Sequence, residues 1–258
     1  MRQAQRWPIW CVDTETNSFN EAHDSRRNMP RRAARPADPT LSFSVGDGLR
    51  VSARLELPTA ARACYVLAHG AGAGMEHPFM SSVAAELAER GVATLRYQFP
   101  YMERGSRRPD PPPLCHATVR AAVTECARLA VGLPLIAGGR SFGGRMTSQA
   151  QALAPLAGVR GLAFLGFPLH PAGRPSDSRG EHLARVHVPM LFLQGTRDAL
   201  ADRSLLEALL ARLGPQASAC WLDGADHSFH VAARTGRNDT QVRNLLLDAL
   251  CAWLDGLQ

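Results

Sequence analysis

The sequence predicts an α/β fold: a mainly parallel sheet with an antiparallel N-terminal hairpin, helices on both faces, and little or no lid. Three observations predict it. From residue 40 onward, strand-length apolar runs alternate with segments whose apolar residues recur at helical spacing. Two alternating runs around Gly46-Asp47-Gly48 open this region as a hairpin. Glycine-rich stretches follow several of the runs, at the strand ends where ligands bind in such sheets.

The elements follow in order. Leu41, Phe43 and Val45 alternate with polar residues, and Val51, Ala53, Leu55 and Leu57 alternate again until Pro58. A buried strand over 64–68 runs into His69-Gly70-Ala71-Gly72-Ala73-Gly74. Met80, Val83, Ala84, Leu87 and Ala88 share a helical face that Gly91 ends. Further strands are expected over 92–97, 133–137, 161–165, 190–194 and 217–222. Helices are expected over 119–130, 141–153 and 204–213. Val242, Leu245, Leu246, Ala249, Leu250 and Trp253 give the last helix one apolar face.

Composition narrows the class. With 258 residues, 45% hydrophobic and 20% charged, the chain reads as a soluble globular protein. No apolar run reaches the length of a membrane span, so no membrane partner is expected. The 29 basic residues are all Arg, set against 23 acidic ones. They are spread along the chain rather than clustered, which argues against nucleic-acid binding. The six cysteines form no C-x-x-C pair and lie mostly in apolar runs. That pattern implies a reducing, cytoplasmic setting, no disulfide framework and no cysteine-based zinc site.

Residues 1–39 differ from the rest. They lack apolar periodicity and carry Pro8, Pro30, Pro36, Pro39 and a basic run from Arg31 to Arg35. We read 1–39 as a disordered or non-native extension and 40–258 as one domain. Residues 1–28 fall outside the native protein if Met29 is the true start. A secretory signal lacks its apolar segment here, and Asp13, Glu15, Glu21 and Asp24 argue against a transit peptide.

Gly139-Arg140-Ser141-Phe142-Gly143 fits G-x-S-x-G. The pattern alone is weak, and an ordinary glycine-rich turn would also satisfy it. Its context is more specific: it follows a predicted strand and opens a predicted helix. A sharp strand-to-helix turn of this kind lifts a serine hydroxyl out of the sheet, making Ser141 the candidate nucleophile. A phosphate-binding loop is the other reading, but a chain without Lys has no G-x-x-x-x-G-K-[ST].

Such a nucleophile is followed in the chain by an acid and then a histidine, each after a later strand. Asp198 and His227 occupy those places. A neutral imidazole takes the serine proton, and a carboxylate holds its tautomer. His230 competes as base, and Asp202 and Asp223 compete as acid. His187 precedes a strand, on the wrong side of the sheet. Asp226 adjoins His227 and is expected to point away. His227-x-x-His230 is half of a metal pair, and nothing completes it, so neither metal nor cofactor is expected. Backbone N–H groups for an oxyanion are expected from Phe142 and from the loop after residue 68, at Ala71 or else Gly72.

These segments resemble the α/β-hydrolase superfamily from about residue 40 to the end, in its small, dienelactone-hydrolase-like branch. The five stretches that carry the resemblance are His69-Gly70-Ala71-Gly72-Ala73-Gly74, Phe99-Pro100-Tyr101, Gly139-Arg140-Ser141-Phe142-Gly143-Gly144-Arg145, Gly166-Phe167-Pro168-Leu169-His170-Pro171 and Gly195-Thr196-Arg197-Asp198. They are similar to a subfamily of predicted hydrolases that includes a testis-expressed hydrolase-like protein and a subunit (NSL) of a histone-acetylating chromatin complex. The resemblance implies Ser141, Asp198 and His227 as the triad. It departs from dienelactone hydrolases proper, whose nucleophile is Cys.

The expected activity is therefore that of a serine esterase, hydrolysing a small carboxylic ester or thioester through an acyl-enzyme. The alternatives are an inactive scaffold on the same fold, and acyl transfer or perhydrolysis by the same residues. The expected partner is a small ester or acyl substrate, and no motif specifies an oligomeric state. Only about two dozen residues separate the strands near 165 and 190, which leaves little room for a lid. Arg104, Arg107 and Arg108, with Pro109 to Pro113, lie on a loop expected to overhang the site. Arg104 and Arg107 are candidates to hold an anionic substrate, and a solvated loop is the plainer reading.

Overall fold

The hairpin forms where the alternation places it. In the computed structural model, β2 (Leu41–Val45) pairs antiparallel with β3 (Leu49–Glu56), setting Phe43 opposite Val51. Residues 10–11, 40–46 and 48–257 are described. The extension read over 1–39 thus lies outside the described residues, except for Trp10 and Cys11. Those two form β1 (Trp10–Cys11).

After β3 come β4 (Ala63–Ala68), α1 (Pro78–Glu89), β5 (Val92–Tyr97), α2 (Pro100–Glu103) and α3 (Pro112–Leu129). Then follow β6 (Leu135–Arg140), α4 (Phe142–Leu153), β7 (Val159–Leu165) and a 3-10 helix over Ser178–Arg185. The chain closes with β8 (Met190–Gly195), α5 (Arg203–Leu213), β9 (Ala217–Leu222) and α6 (Asp239–Asp255). Among the described residues one sheet forms, in the order β1-β9-β8-β7-β6-β4-β5-β3-β2. Only the pairings β2–β3 and β3–β5 are antiparallel. The parallel strands β4 to β9 therefore end on one side, where the site loops gather.

Both faces of the sheet are covered. Met80, Val83 and Leu87 of α1 pack with Leu246, Leu250 and Leu254 of α6 on one face. Val119 and Cys126 of α3, Met146 of α4 and Leu206 of α5 pack on the other. This explains the continuous apolar runs of β4 and β8, which have no solvent side. Full burial of each such Leu, Val or Met contributes roughly 1.5–3 kcal/mol.

Two boundaries differ from expectation. The helix expected from residue 119 begins at Pro112, inside the supposed proline loop. Proline suits a first helical turn, where its missing N–H has no acceptor anyway. The strand expected over 133–137 occupies Leu135–Arg140 and includes Gly138 and Gly139. Ladders to β4 and β7 on either side extend it past its own weak propensity. The 3-10 helix, which lacks a clear apolar period, was not expected. Among the described residues no helix is long and apolar enough to cross a membrane.

Candidate active site

The turn from β6 into α4 is built by glycines. At Gly139, φ is +147°, and an added Cβ would fall 2.2 Å from the Ala68 carbonyl oxygen. The neighbouring strands β6 and β4 can approach this closely only without a side chain there. Ser141 sits between them at φ +48° and ψ −116°, sparsely populated space for a non-glycine residue. Such a conformation costs on the order of 1–3 kcal/mol, which the surrounding packing offsets. Its N–H donates to the Leu165 carbonyl at 3.1 Å, anchoring the turn to β7.

His227 reaches Ser141 from the loop after β9. Its Nε2 lies 2.8 Å from Ser141 Oγ, and its Nδ1 lies 2.7 Å from Asp198 Oδ2. A carboxylate accepts, so Nδ1 carries the proton and the Nε2 lone pair faces the serine hydroxyl. Asp198 is buried, and its other oxygen accepts the Leu200 N–H at 2.7 Å. Gln194 Nε2 also donates to Asp198 Oδ2, while Gln194 Oε1 accepts the Phe167 N–H. Gln194 belongs to no motif in the sequence. A polar residue closing an apolar strand is the signal that points to it.

Asp226 is not a bystander. Its Oδ1 accepts the N–H groups of Ser228 and His230, and its own N–H donates to the His230 carbonyl. This closes the turn that carries His227. Phe229 takes φ +61° there, and its buried ring stacks on Phe79. The rivals lie elsewhere. The exposed His230 pairs with Asp239, which raises the imidazole pKa and lowers that of the carboxyl. Asp202 caps α5 by accepting the Leu205 N–H, and Asp223 accepts from Thr196 Oγ1. His187 is exposed just before β8. Among the described residues no group of three potential ligands could hold a metal.

The loop after β4 faces the serine. A Cβ on Gly70 would lie 3.9 Å from Ser141 Cβ. His69 is fully buried; its Nε2 accepts the Phe99 N–H at 3.0 Å, so its Nδ1 donates to the Gly70 carbonyl at 2.8 Å. Burial lowers its pKa to about 4 and keeps it neutral. The Gly70 carbonyl is thereby held away, and in a trans peptide the Ala71 N–H points opposite to it. Ala71 and Gly72 form an exposed turn, Gly72 at φ +70°. Phe142 begins α4, so its N–H has no intrahelical acceptor. Its ring lies edge-on to Phe99 and Tyr101.

Arg104 is ion-paired with Asp110 inside its own loop, and Arg107 is exposed. The arginines beside Ser141 are Arg140 and Arg145. The Arg140 guanidinium lies 4.5 Å from the Phe79 ring centroid, with Nη2 3.4 Å from Ser228 Oγ. Arg145 lies over Phe142. Spacing of one and four residues from the candidate nucleophile is the signal that could have found them.

Comparison with known proteins agrees with this fold. Residues 61–255 match a family described as an alpha/beta hydrolase domain. A dienelactone hydrolase from Anabaena variabilis superposes with a TM-score of 0.65 at 21% identity, over 82% of this chain and 95% of that one. An α/β serine hydrolase without a lid, from Xanthomonas campestris, gives 0.65 at 20% identity, over 84% and 96%. Est1E of Butyrivibrio proteoclasticus, solved with ferulic acid bound, gives 0.63 at 16% identity, over 81% and 98%.

Proposed function

The chain belongs to the alpha/beta hydrolase domain family, and from that premise we propose that it is a serine hydrolase of small carboxylic esters or thioesters. One observation carries the reading: the hydrogen-bonded line from Asp198 through His227 to Ser141, at 2.7 and 2.8 Å.

The reaction uses these groups in turn. Ser141 Oγ attacks the substrate carbonyl carbon while His227 Nε2 takes the hydroxyl proton. The C=O electron pair moves onto oxygen, where the Phe142 and Ala71 N–H groups donate to it. The tetrahedral species collapses, and the alcohol or thiol leaves with the proton from His227. Water then gives a proton to His227 and attacks the acyl-enzyme. Collapse of the second tetrahedral species returns the proton to Ser141 and releases the carboxylic acid. Asp198 supports the imidazolium in both halves. Nothing between β7 and β8 is larger than the 3-10 helix Ser178–Arg185, which favours a site open to small substrates.

A fluorophosphonate probe and a short-chain p-nitrophenyl ester test this. The protein is expected to be labelled and to release p-nitrophenolate, and Ser141→Ala to do neither. A folded wild-type protein that is neither labelled nor active overturns the reading in favour of a scaffold.

A further inference from the structure

Arg145 stands one helical turn beyond Ser141, its N–H donating to the Ser141 carbonyl at 3.1 Å. Side chains on a helix lean toward its N-terminus, here the end that bears Ser141. The guanidinium lies 5.9 Å from the Phe142 ring centroid. Its Nε is buried and has no hydrogen-bond partner among the described residues. Neither Arg145 nor Arg179, on the neighbouring 3-10 helix, forms an ion pair among the described residues. Of the nearby acids, Asp110 pairs with Arg104 and Asp177 with Arg212, while Glu181 on the same 3-10 helix is exposed and forms no ion pair with either arginine among the described residues. Burial, and the like charge of Arg179, lower the Arg145 pKa from its ordinary value. Two neighbouring cations, one with a buried and unsatisfied donor, form an arrangement that an anion stabilises.

His227 must protonate the leaving group, so the leaving group lies on the His227 side of Ser141. Arg140 belongs to that side, bracing the His227 loop through Ser228. Arg145 packs over Phe142 instead, so an anion held there is assigned to the acyl moiety.

We propose that Arg145, with Arg179, forms an anion subsite that selects esters or thioesters whose acyl chain ends in a carboxylate. This rests on the serine hydrolase reading and specifies its substrate class. Arg145 is suited to the role because a guanidinium binds a carboxylate through two parallel N–H donors.

The test compares mono-p-nitrophenyl glutarate with its methyl ester, an uncharged analogue of nearly the same shape. The wild-type protein is expected to prefer the free carboxylate by roughly tenfold to a hundredfold in kcat/KM, the range of a charge-assisted hydrogen bond. That ratio should shrink with added salt, collapse toward one in Arg145→Gln, and partly survive in Arg145→Lys. Labelling by the fluorophosphonate probe checks that each variant keeps a reactive serine. A labelled, active wild type without preference, or a preference intact in Arg145→Gln, overturns the subsite and leaves the hydrolase reading standing. If the wild type is neither labelled nor active, calorimetry with glutarate on the folded protein decides the subsite by itself. Binding lost in Arg145→Gln supports it, and no binding overturns it.

Discussion

Gly143 lies so close to His69 that a Cβ added to it would sit 2.5 Å from the His69 carbonyl oxygen. The first turn of α4 thus rests directly on the loop proposed to hold the oxyanion. Gly143→Ala must push helix and loop apart, and overpacking of this kind costs about 1–3 kcal/mol or more. The variant is expected to melt well below wild type and to lose fluorophosphonate labelling. Thermal unfolding and labelling measure both.

The strained backbone of Ser141 gives a second expectation. At φ +48° glycine is less hindered than serine or alanine. Ser141→Gly should therefore be more stable than Ser141→Ala by about 1 kcal/mol, the low end of such strain. Both should be inactive. Urea unfolding of the two variants reads the difference.

Asp198 and His230 separate the proposed base from its rival. Asp198→Asn can present the wrong tautomer of His227 to Ser141, and kcat is expected to fall by about 10⁴. His230→Gln removes only an exposed pair with Asp239 and should change kcat less than twofold. Turnover of a p-nitrophenyl ester checks both. Equal losses in the two variants would reassign the base.

Stability should fall on mild acidification. Burial lowers the pKa of His69 and of His182 from 6.5 to about 4 in the folded protein. Between those values the unfolded chain takes up protons that the folded chain refuses. Stability from these groups is therefore full above pH 6.5 and declines as pH falls toward 4, by roughly 3 kcal/mol at most for each. Urea midpoints from pH 7 to 4.5 should trace this decline. His182→Asn should flatten it, since it removes one of the two groups.

Much of the fold was legible because its signals are local. The hairpin around Gly46 to Gly48, the apolar runs of β4 and β8, and the one-sided face of α6 are each set by residues a few positions apart. Local, too, was the turn at Ser141, where glycines flank a serine between strand and helix. Pro112 misled for a related reason: a proline reads as a breaker unless the helix beyond it is already known. β6 extended past its own propensity because β4 and β7 offered ladders on both sides.

The sequence by itself determined the order strand, serine, helix, acid, histidine. Tertiary structure alone decided the pairings. His227 reaches Ser141 across 86 positions and Asp198 across 29. His230, three residues away from His227, turns to Asp239 instead. It also decided that Arg104 pairs with Asp110 while Arg145, a helical turn from the proposed nucleophile, has no carboxylate partner among the described residues. Local propensity sets which way the chain runs. Which side chains meet depends on how the sheet and its two helical layers close, and no short stretch of sequence contains that.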